Sequence, residues 1–175
     1  MLVCFIIAAA VIAADQLTKF AVVGSIGLGE SVDLIPGVFR FTYIRNEGAA
    51  FGMLSSHRWI FIVLSIAAIV GIIVFVILKK PKNKLLTTAL GLVLGGGIGN
   101  MIDRLSLGYV VDFLDFYLIP FWKWIFNVAD ACACVGAGLL VLYLIIDTVR
   151  SERKEREEKA AAAAKDATDA GNEND

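Results

Sequence analysis

The chain has 175 residues, of which 58% are hydrophobic and 19% charged, with a formal net charge of −1. Soluble globular chains average about 45–50% apolar and about 25% charged residues, so this composition predicts an integral membrane protein of one domain. The balanced charge gives no indication of a nucleic-acid partner. Three cysteines in apolar runs and a single histidine predict no disulfide framework, no metal site and no cofactor.

Four apolar segments are long enough to cross a bilayer, which takes about 20 residues. They run from about Met1 to Val23, from Trp59 to Leu78, from Leu85 to Ile102, and from near Asn127 to Ile146. A cleaved signal peptide is the alternative for the first segment. Because no lysine or arginine precedes Lys19, that segment lacks a basic leader region and we expect a retained helix.

Residues 38–44, VFRFTYI, lie between the first two helices and alternate in the way typical of a β-strand. Turn signals flank them: LIPG before and NEG after. The alternation assigns Phe39, Phe41 and Tyr43 to one face, and Arg40 and Thr42 to the other. We therefore expect a small β element at the membrane surface. A plain surface hairpin and a substrate cradle fit this pattern equally well.

Small residues recur at every fourth position in the third and fourth helices, which lets membrane helices approach closely. They are Gly91, Gly95 and Gly99 in the third helix, and Ala129, Ala133 and Ala137 in the fourth. The stretch GGGIGN resembles a phosphate-binding loop only superficially, since no strand precedes it and no Lys-Ser/Thr follows. Helix packing is the favoured interpretation.

Lysine and arginine near helix ends predict orientation, because cytoplasmic loops carry the excess of these residues. They cluster between the second and third helices and after the fourth: Lys79, Lys80, Lys82, Lys84, Arg150, Arg153, Lys154 and Arg156. Both termini are then cytoplasmic, and residues 24–58 and 104–126 face outward. We expect a four-helix domain over residues 1–150. The charged, Ala-rich cytoplasmic tail, residues 151–175, would be helical at first and disordered at its end.

Polar side chains gather at the outward ends of the helices: Asp15, Gln16, Lys19, Asn100, Asp103, Arg104, Asn127 and Asp130. Ionisable residues at membrane depth are costly and therefore indicate function. The alternative is structural ion pairing, such as Asp15 or Asp103 with Arg104. For Asp15 and Asp103, structural ion pairing is at least as good an explanation as a functional role. It is weaker for Asp112 and Asp130, because the chain offers too few nearby cations to neutralise them all.

Three carboxylates, Asp112, Asp115 and Asp130, lie in or beside an aromatic stretch, residues 108–130. Two carboxylates about 4–5 Å apart repel by roughly 3–4 kcal/mol at an effective dielectric constant of about 20. One then holds a proton while the other is ionised, which is the logic of aspartic proteases. Spacing cannot choose between Asp112 and Asp115, which share a face in a helix and point oppositely in a strand.

Five sequence blocks, from the first helix to the fourth, resemble those of the lipoprotein signal peptidases, also called signal peptidase II. The blocks are ADQLTKF (14–20), RNEGAAFG (45–52), GGGIGNMIDR (95–104), VVDF (110–113) and FNVAD (126–130). Each block alone is a weak signal, whereas the five in this order are specific. The tail after Arg150 lies outside the resemblance.

The resemblance implies an all-α inner-membrane aspartyl endopeptidase of bacteria, with four transmembrane helices and a small extracytoplasmic β element. Its partners would be membrane lipids and prolipoprotein signal peptides, which it cuts before a diacylglyceryl-modified cysteine, with no metal and no nucleic acid. The resemblance places the catalytic aspartates at Asp112 and Asp130 and leaves Asp115 as a surface carboxylate beside the site. It also places Asn46, Asn100, Arg104 and Asn127 around the substrate and gives Asp15 a supporting role.

Two other functions fit the composition. A proton-coupled small membrane transporter would use the same carboxylates as proton sites, but four helices without an internal repeat argue against it. A non-catalytic membrane scaffold is the third possibility. Cleavage of a lipidated prolipoprotein by the purified protein discriminates between the three.

Overall fold

The structure, a computed structural model, describes residues 1–47, 58–118 and 124–172. Within these ranges, four helices are long and apolar enough to cross a membrane. They are α1 (Leu2–Ser25), α2 (Arg58–Lys79), α3 (Lys84–Ser106) and α4 (Val128–Asn172). Each begins within one residue of the predicted start. The predicted all-α membrane fold with four spans and a small β element is confirmed.

The start of α3 shows how the sequence ends one helix and begins the next. Asn83 precedes the helix in an extended conformation, and its side-chain oxygen accepts a hydrogen bond from Leu86 N at 3.1 Å. This cap satisfies one of the backbone N–H groups that a helix start leaves without an intrahelical partner. The basic loop between α2 and α3 therefore ends at Asn83, where α3 begins.

The fourth helix continues well beyond the predicted end at Ile146 and reaches Asn172. Ion pairs at a spacing of four residues stabilise its polar part, such as Arg153 with Glu157 at 2.9 Å. Contacts divide the chain into two compact units, Met1–Leu139 and Leu140–Asp175. The domain boundary after residue 150 and disorder at the end of the tail stay predictions.

The described residues form a four-stranded antiparallel sheet in the order β1 (Ser31–Ile35), β2 (Phe39–Asn46), β3 (Val110–Phe116) and β4 (Ile125–Phe126). The strand predicted over residues 38–44 is thus confirmed as β2. The segment around Asp112 and Asp115, for which the sequence allowed either a helix or a strand, forms the strand β3. It pairs with β2 so that Ile44 lies opposite Asp112, after an irregularity in register between Phe41 and Ile44.

A small apolar core joins the sheet to the end of α1. Its buried members are Val22, Ile26, Tyr43, Val111 and Phe113. The rings of Phe41 and Phe113 meet edge to face, with centroids 5.4 Å apart. Because Val111 and Phe113 flank Asp112 on β3, this core fixes the strand that carries the first candidate carboxylate.

Glycines let α3 pack tightly against its neighbours, as the spacing predicts. A Cβ added at Gly95 would lie 2.8 Å from the Ala8 carbonyl oxygen of α1. One added at Gly96 would collide with the Ala129 carbonyl oxygen of α4. GGGIGN is part of this helical contact, so the packing interpretation is confirmed.

Candidate active site

Asp112 lies on β3 with a side chain that is almost fully buried, at 1% exposure. The β2–β3 pairing brings Asn46 beside it, and Asn46 Nδ2 donates to Asp112 Oδ2 at 2.8 Å. Asn127 Nδ2 donates to the other carboxylate oxygen, Oδ1, at 2.6 Å. Both oxygens of Asp112 therefore accept hydrogen bonds from neutral amide groups.

Asp130 lies in the first turn of α4, three residues after Asn127. Asn127 and Asp130 cap the helix reciprocally: Asp130 N donates to Asn127 Oδ1 at 2.9 Å, and Asn127 N donates to Asp130 Oδ2 at 3.3 Å. The arrangement is that of a capping box, in which two helix-start donors are satisfied at once. Asn100 of α3 then donates from Nδ2 to Asp130 Oδ1 at 2.7 Å.

The two candidate carboxylates belong to one hydrogen-bond network. Asn127 Nδ2 donates to Asn100 Oδ1 at 3.0 Å, so the chain of contacts runs from Asp112 through Asn127 and Asn100 to Asp130. Residues from β3, α3 and α4 thus meet at one point, as the sequence predicts for Asp112, Asp130, Asn100 and Asn127. Asn46, from β2, completes the group.

Burial raises the pKa of Asp112 from 3.8 to about 7, because the ionised carboxylate loses its hydration. The charge of Asp130 contributes to this rise, and the hydrogen bonds from Asn46 and Asn127 and the charge of Lys19 oppose it, so that about 7 is the net of all these effects. Asp112 therefore titrates near neutral pH rather than in the acid range. A carboxyl pair of this kind can hold one proton and act as acid and base together.

The structural ion pairs differ from those expected. Lys19, not Arg104, is the cation that pairs with Asp15, at 2.8 Å, and with Asp103, at 2.9 Å. The i,i+4 spacing of Asp15 and Lys19 on α1 favours their pairing. Arg104 is half-buried instead, and its Nη1 lies 3.5 Å from the Asn100 carbonyl oxygen. Structural ion pairing, the alternative considered for Asp15 and Asp103, therefore occurs, but with Lys19 rather than with Arg104, the example that the sequence suggested.

Asp115 is not the surface carboxylate that the sequence predicted. It is 5% exposed, pairs with Arg40 Nε at 2.6 Å and accepts from Thr42 Oγ1 at 2.8 Å. Arg40 and Thr42 lie on the same face of β2, as the alternation predicted, and Arg40 is directly opposite Asp115 in the register. Because residues three apart in a strand point oppositely, Asp115 turns away from the network that holds Asp112.

Two backbone anchors beside the candidate carboxylates were not expected. Asp15 Oδ1 accepts from Ala129 N at 2.9 Å, next to Asp130. Asp103 Oδ2 accepts from Val111 N at 3.0 Å, next to Asp112. The first contact joins residues 114 positions apart and the second joins residues eight positions apart, across the turn between α3 and β3. The pattern of polar residues indicated the cluster but not these backbone partners. Residues 48–52 of the RNEGAAFG block lie outside the described residues.

A family described as Signal peptidase (SPase) II matches residues 7–146 of the chain. A lipoprotein signal peptidase of Brevibacillus brevis is 48% identical over 143 residues, covering 82% of this chain and 95% of that protein. The lipoprotein signal peptidase of Bacillus subtilis is 42% identical over 149 residues, covering 85% of this chain and 97% of that protein. The match therefore spans nearly the whole length of these relatives.

Solved structures give the same result at the level of the fold. One, described as a bacterial membrane enzyme determined by the in meso method at 2.3 Å resolution, is 34% identical to this chain with a TM-score of 0.76. The match covers 83% of this chain and 88% of that one. A second bacterial membrane enzyme, determined at 1.9 Å resolution, is 33% identical with a TM-score of 0.73, and the match covers 81% of this chain and 91% of that one.

Proposed function

The chain belongs to the signal peptidase II family of lipoprotein signal peptidases, and from this premise we propose that it is an aspartyl endopeptidase of prolipoproteins. It removes the signal peptide by cleaving before the diacylglyceryl-modified cysteine. The observation that carries the proposal is the network that joins buried Asp112 to Asp130 through Asn127 and Asn100.

In the proposed reaction, the two aspartates share one proton. The ionised member takes a proton from water, which attacks the scissile carbonyl carbon. The protonated member donates a hydrogen bond to the carbonyl oxygen, and a proton then passes to the leaving amine as the C–N bond breaks. A pKa of about 7 for Asp112 supports a pair with one ionised and one protonated carboxyl, since the pair then holds a proton at neutral pH. The proton belongs to the coupled pair rather than to one residue.

The surrounding polar residues have distinct proposed roles. Asn46, Asn100 and Asn127 orient the carboxylates through their amide groups and bind the substrate backbone near the scissile bond. Arg104, half-buried at the end of α3, contributes a positive charge that stabilises the developing oxyanion. Asp15 supports the site by accepting from the backbone N–H that precedes Asp130. No metal or cofactor takes part in this scheme.

Membrane orientation follows from the distribution of basic residues. We propose that the loop between α2 and α3 and both termini are cytoplasmic, because lysines and arginines concentrate there. The sheet and the Asp112–Asp130 pair are then on the extracytoplasmic side, where a signal helix ends. Residues 1–150 form the peptidase domain, and residues 151–175 form a cytoplasmic tail. The exposed apolar faces of the helices contact the lipid bilayer of the bacterial inner membrane.

The test is a cleavage assay with the full chain purified in detergent and a diacylglyceryl-modified prolipoprotein. Mass spectrometry of both products locates the cut bond. We expect a single cut before the lipidated cysteine, in the presence of a metal chelator and without nucleotide. Cleavage elsewhere, or no cleavage by a preparation whose melting curve shows a folded protein, overturns the proposal. Proton-coupled uptake by vesicles without any cleavage supports the transporter instead.

A further inference from the structure

Lys19 lies inside the helix bundle, at 3% exposure, although it belongs to an otherwise largely apolar helix. A lysine ammonium carries three N–H donors and no acceptor. Within the described residues, three oxygens lie within hydrogen-bond distance of Lys19 Nζ: Asp15 Oδ2 at 2.8 Å, Asp103 Oδ2 at 2.9 Å and Asn100 Oδ1 at 3.0 Å. Each donor therefore has one acceptor.

Two of these acceptors also hold the backbone beside a candidate catalytic aspartate. Asp15 uses its other carboxylate oxygen to accept from the N–H of Ala129, the residue before Asp130. Asp103 accepts from the N–H of Val111, the residue before Asp112. The carboxylates that Lys19 fixes thus fix the start of α4 and the start of β3.

The third acceptor acts on a catalytic side chain directly. Because the ammonium cannot accept a hydrogen bond, Asn100 must turn its oxygen toward Lys19 and its NH₂ group away. That NH₂ group donates to Asp130 Oδ1 at 2.7 Å. Lys19 therefore selects, together with Asn127 Nδ2, which donates to the same oxygen at 3.0 Å, the orientation of the Asn100 amide that gives Asp130 a donor rather than a second acceptor.

We propose that Lys19 is a positioning residue for peptide cleavage, which holds Asp112 and Asp130 in their reactive geometry through Asp15, Asp103 and Asn100. The inference rests on the proposed function, because it gives the two aspartates their catalytic role. Lys19 does not touch the substrate in this scheme. Its removal lowers kcat and leaves KM almost unchanged, since misplacement of reacting groups slows chemistry rather than binding.

Charge balance is the alternative role for Lys19. The ammonium lies between two buried carboxylates, and its loss leaves both without their counter-ion, which destabilises the fold. Lys19→Met tests both roles at once because methionine has nearly the same length and no charge. The double variant Lys19→Met/Asp15→Asn separates them, since it removes one positive and one negative charge together.

The experiment measures kcat, KM and the melting temperature for the full chain in detergent with a diacylglyceryl-modified prolipoprotein. Lys19→Met should lower kcat by about tenfold to a hundredfold, with KM within about twofold of the unaltered protein. The double variant should regain melting temperature while its kcat stays low. Lys82→Met, at an exposed lysine of the basic loop, is the matched control. It should leave kcat, KM and the melting temperature unchanged.

Two outcomes overturn the positioning role. Either Lys19→Met keeps full kcat, or the double variant regains kcat together with its melting temperature, which assigns Lys19 to charge balance alone. If Lys19→Met does not fold, the double variant decides the question through its kcat. Failure of the unaltered, folded chain to cleave is a different result: it overturns the proposed function and this inference with it.

Discussion

Asn127 donates from its side-chain amide to Asp112 Oδ1 at 2.6 Å. The same side chain accepts from the backbone N–H of Asp130, so one asparagine contacts both candidate catalytic residues. Among the described residues, the side chains that donate directly to the two carboxylates are amides, those of Asn46, Asn100 and Asn127. Neutral donors lower a carboxyl pKa less than a cation in direct contact would, which leaves the pair able to hold a proton near neutral pH.

Asp112→Asn and Asp130→Asn should each abolish cleavage, with kcat reduced by about 10²–10⁴-fold or more. An amide neither takes a proton from water nor supplies one to the leaving amine. The measurement is turnover of a lipidated precursor by each purified variant. Normal cleavage by Asp112→Asn shows that the dyad assignment is wrong.

Asp115→Asn is the matched control for these variants. It should keep most of kcat because Asp115 contacts Arg40 and Thr42 instead of the network that joins Asp112 to Asp130. Its melting temperature should fall, because Arg40 loses a charged partner. Since the Arg40 side chain is 35% exposed, solvent screening limits this loss to roughly 1–2 kcal/mol. A dead Asp115→Asn enzyme with an unchanged melting temperature contradicts the separation of the two aspartates.

The raised pKa of Asp112 has a consequence for stability that is separate from activity. The pKa of this carboxyl is 3.8 in the unfolded chain and about 7 in the folded protein. Ionising Asp112 therefore costs roughly 4 kcal/mol more in the folded protein than in the unfolded chain. The folded state therefore binds the proton more tightly, and stability falls as pH rises from about 4 to about 7. Asp112→Asn removes this cost.

We expect Asp112→Asn to melt at a higher temperature than the unaltered protein at pH 8, and this advantage to disappear near pH 4. Thermal unfolding in detergent at both pH values measures it. The asparagine must share its site with two amide donors, so the gain is at most about 4 kcal/mol. An equal melting difference at the two pH values shows that Asp112 does not titrate between them.

Much of the architecture was predictable because it depends on local pattern. Long apolar runs gave four helices whose starts agree within one residue, and the alternation around Phe41 gave β2. Carboxylates in apolar surroundings indicated the site. The family resemblance, rather than spacing, chose Asp112 over Asp115. Once β3 is a strand, the geometry explains that choice, since the two side chains point in opposite directions.

The interior partners were not predictable because they join residues distant in sequence. Lys19 contacts Asn100 and Asp103, which lie more than 80 positions further along the chain. The sequence around Lys19 in α1 does not show that this residue, rather than Arg104 in α3, is the buried cation. The exposure of Asp115 was mispredicted for the same reason, since its partner Arg40 lies on another strand. Tertiary pairing decides which carboxylates are neutralised, and local sequence does not record it.

Lipidation of the substrate should control the rate. An unlipidated precursor should be cut at least about 100-fold more slowly than the diacylglyceryl form, because each buried acyl CH₂ contributes about 0.8 kcal/mol. The comparison uses one peptide sequence with and without the lipid on its cysteine, at substrate concentrations below KM. Equal rates for both forms remove the lipid from recognition and favour a general signal peptidase.

Topology is testable with single cysteines in a background in which Cys4, Cys132 and Cys134 are replaced by alanine. A cysteine at Lys82, in the basic loop, should be shielded from a membrane-impermeant thiol reagent in intact cells. A cysteine at Glu30, in the exposed turn before β1, should be labelled. Permeabilised cells provide the control, in which both react. The reverse pattern in intact cells contradicts the orientation derived from the lysines.

The contact between α3 and α4 sets the position of Asp130, so a single methyl group should impair the enzyme. A Cβ at Gly96 would collide with the carbonyl oxygen of Ala129, the residue before Asp130. Gly96→Ala should therefore push α4 away from Asn100, lower stability by about 1–3 kcal/mol and reduce kcat. Thermal unfolding and turnover of the lipidated precursor measure both effects.

Gly97→Ala is the neighbouring control. Its Cβ would lie 3.4 Å from Ile69 Cγ1 of α2, a contact that needs little or no adjustment. Alanine also restricts the unfolded chain and favours a helix, so Gly97→Ala should change stability by no more than about 1 kcal/mol and leave kcat intact. If both alanines are tolerated equally, α4 has room to move without displacing Asp130. The close approach of α3 and α4 is then not what holds Asp130 in place.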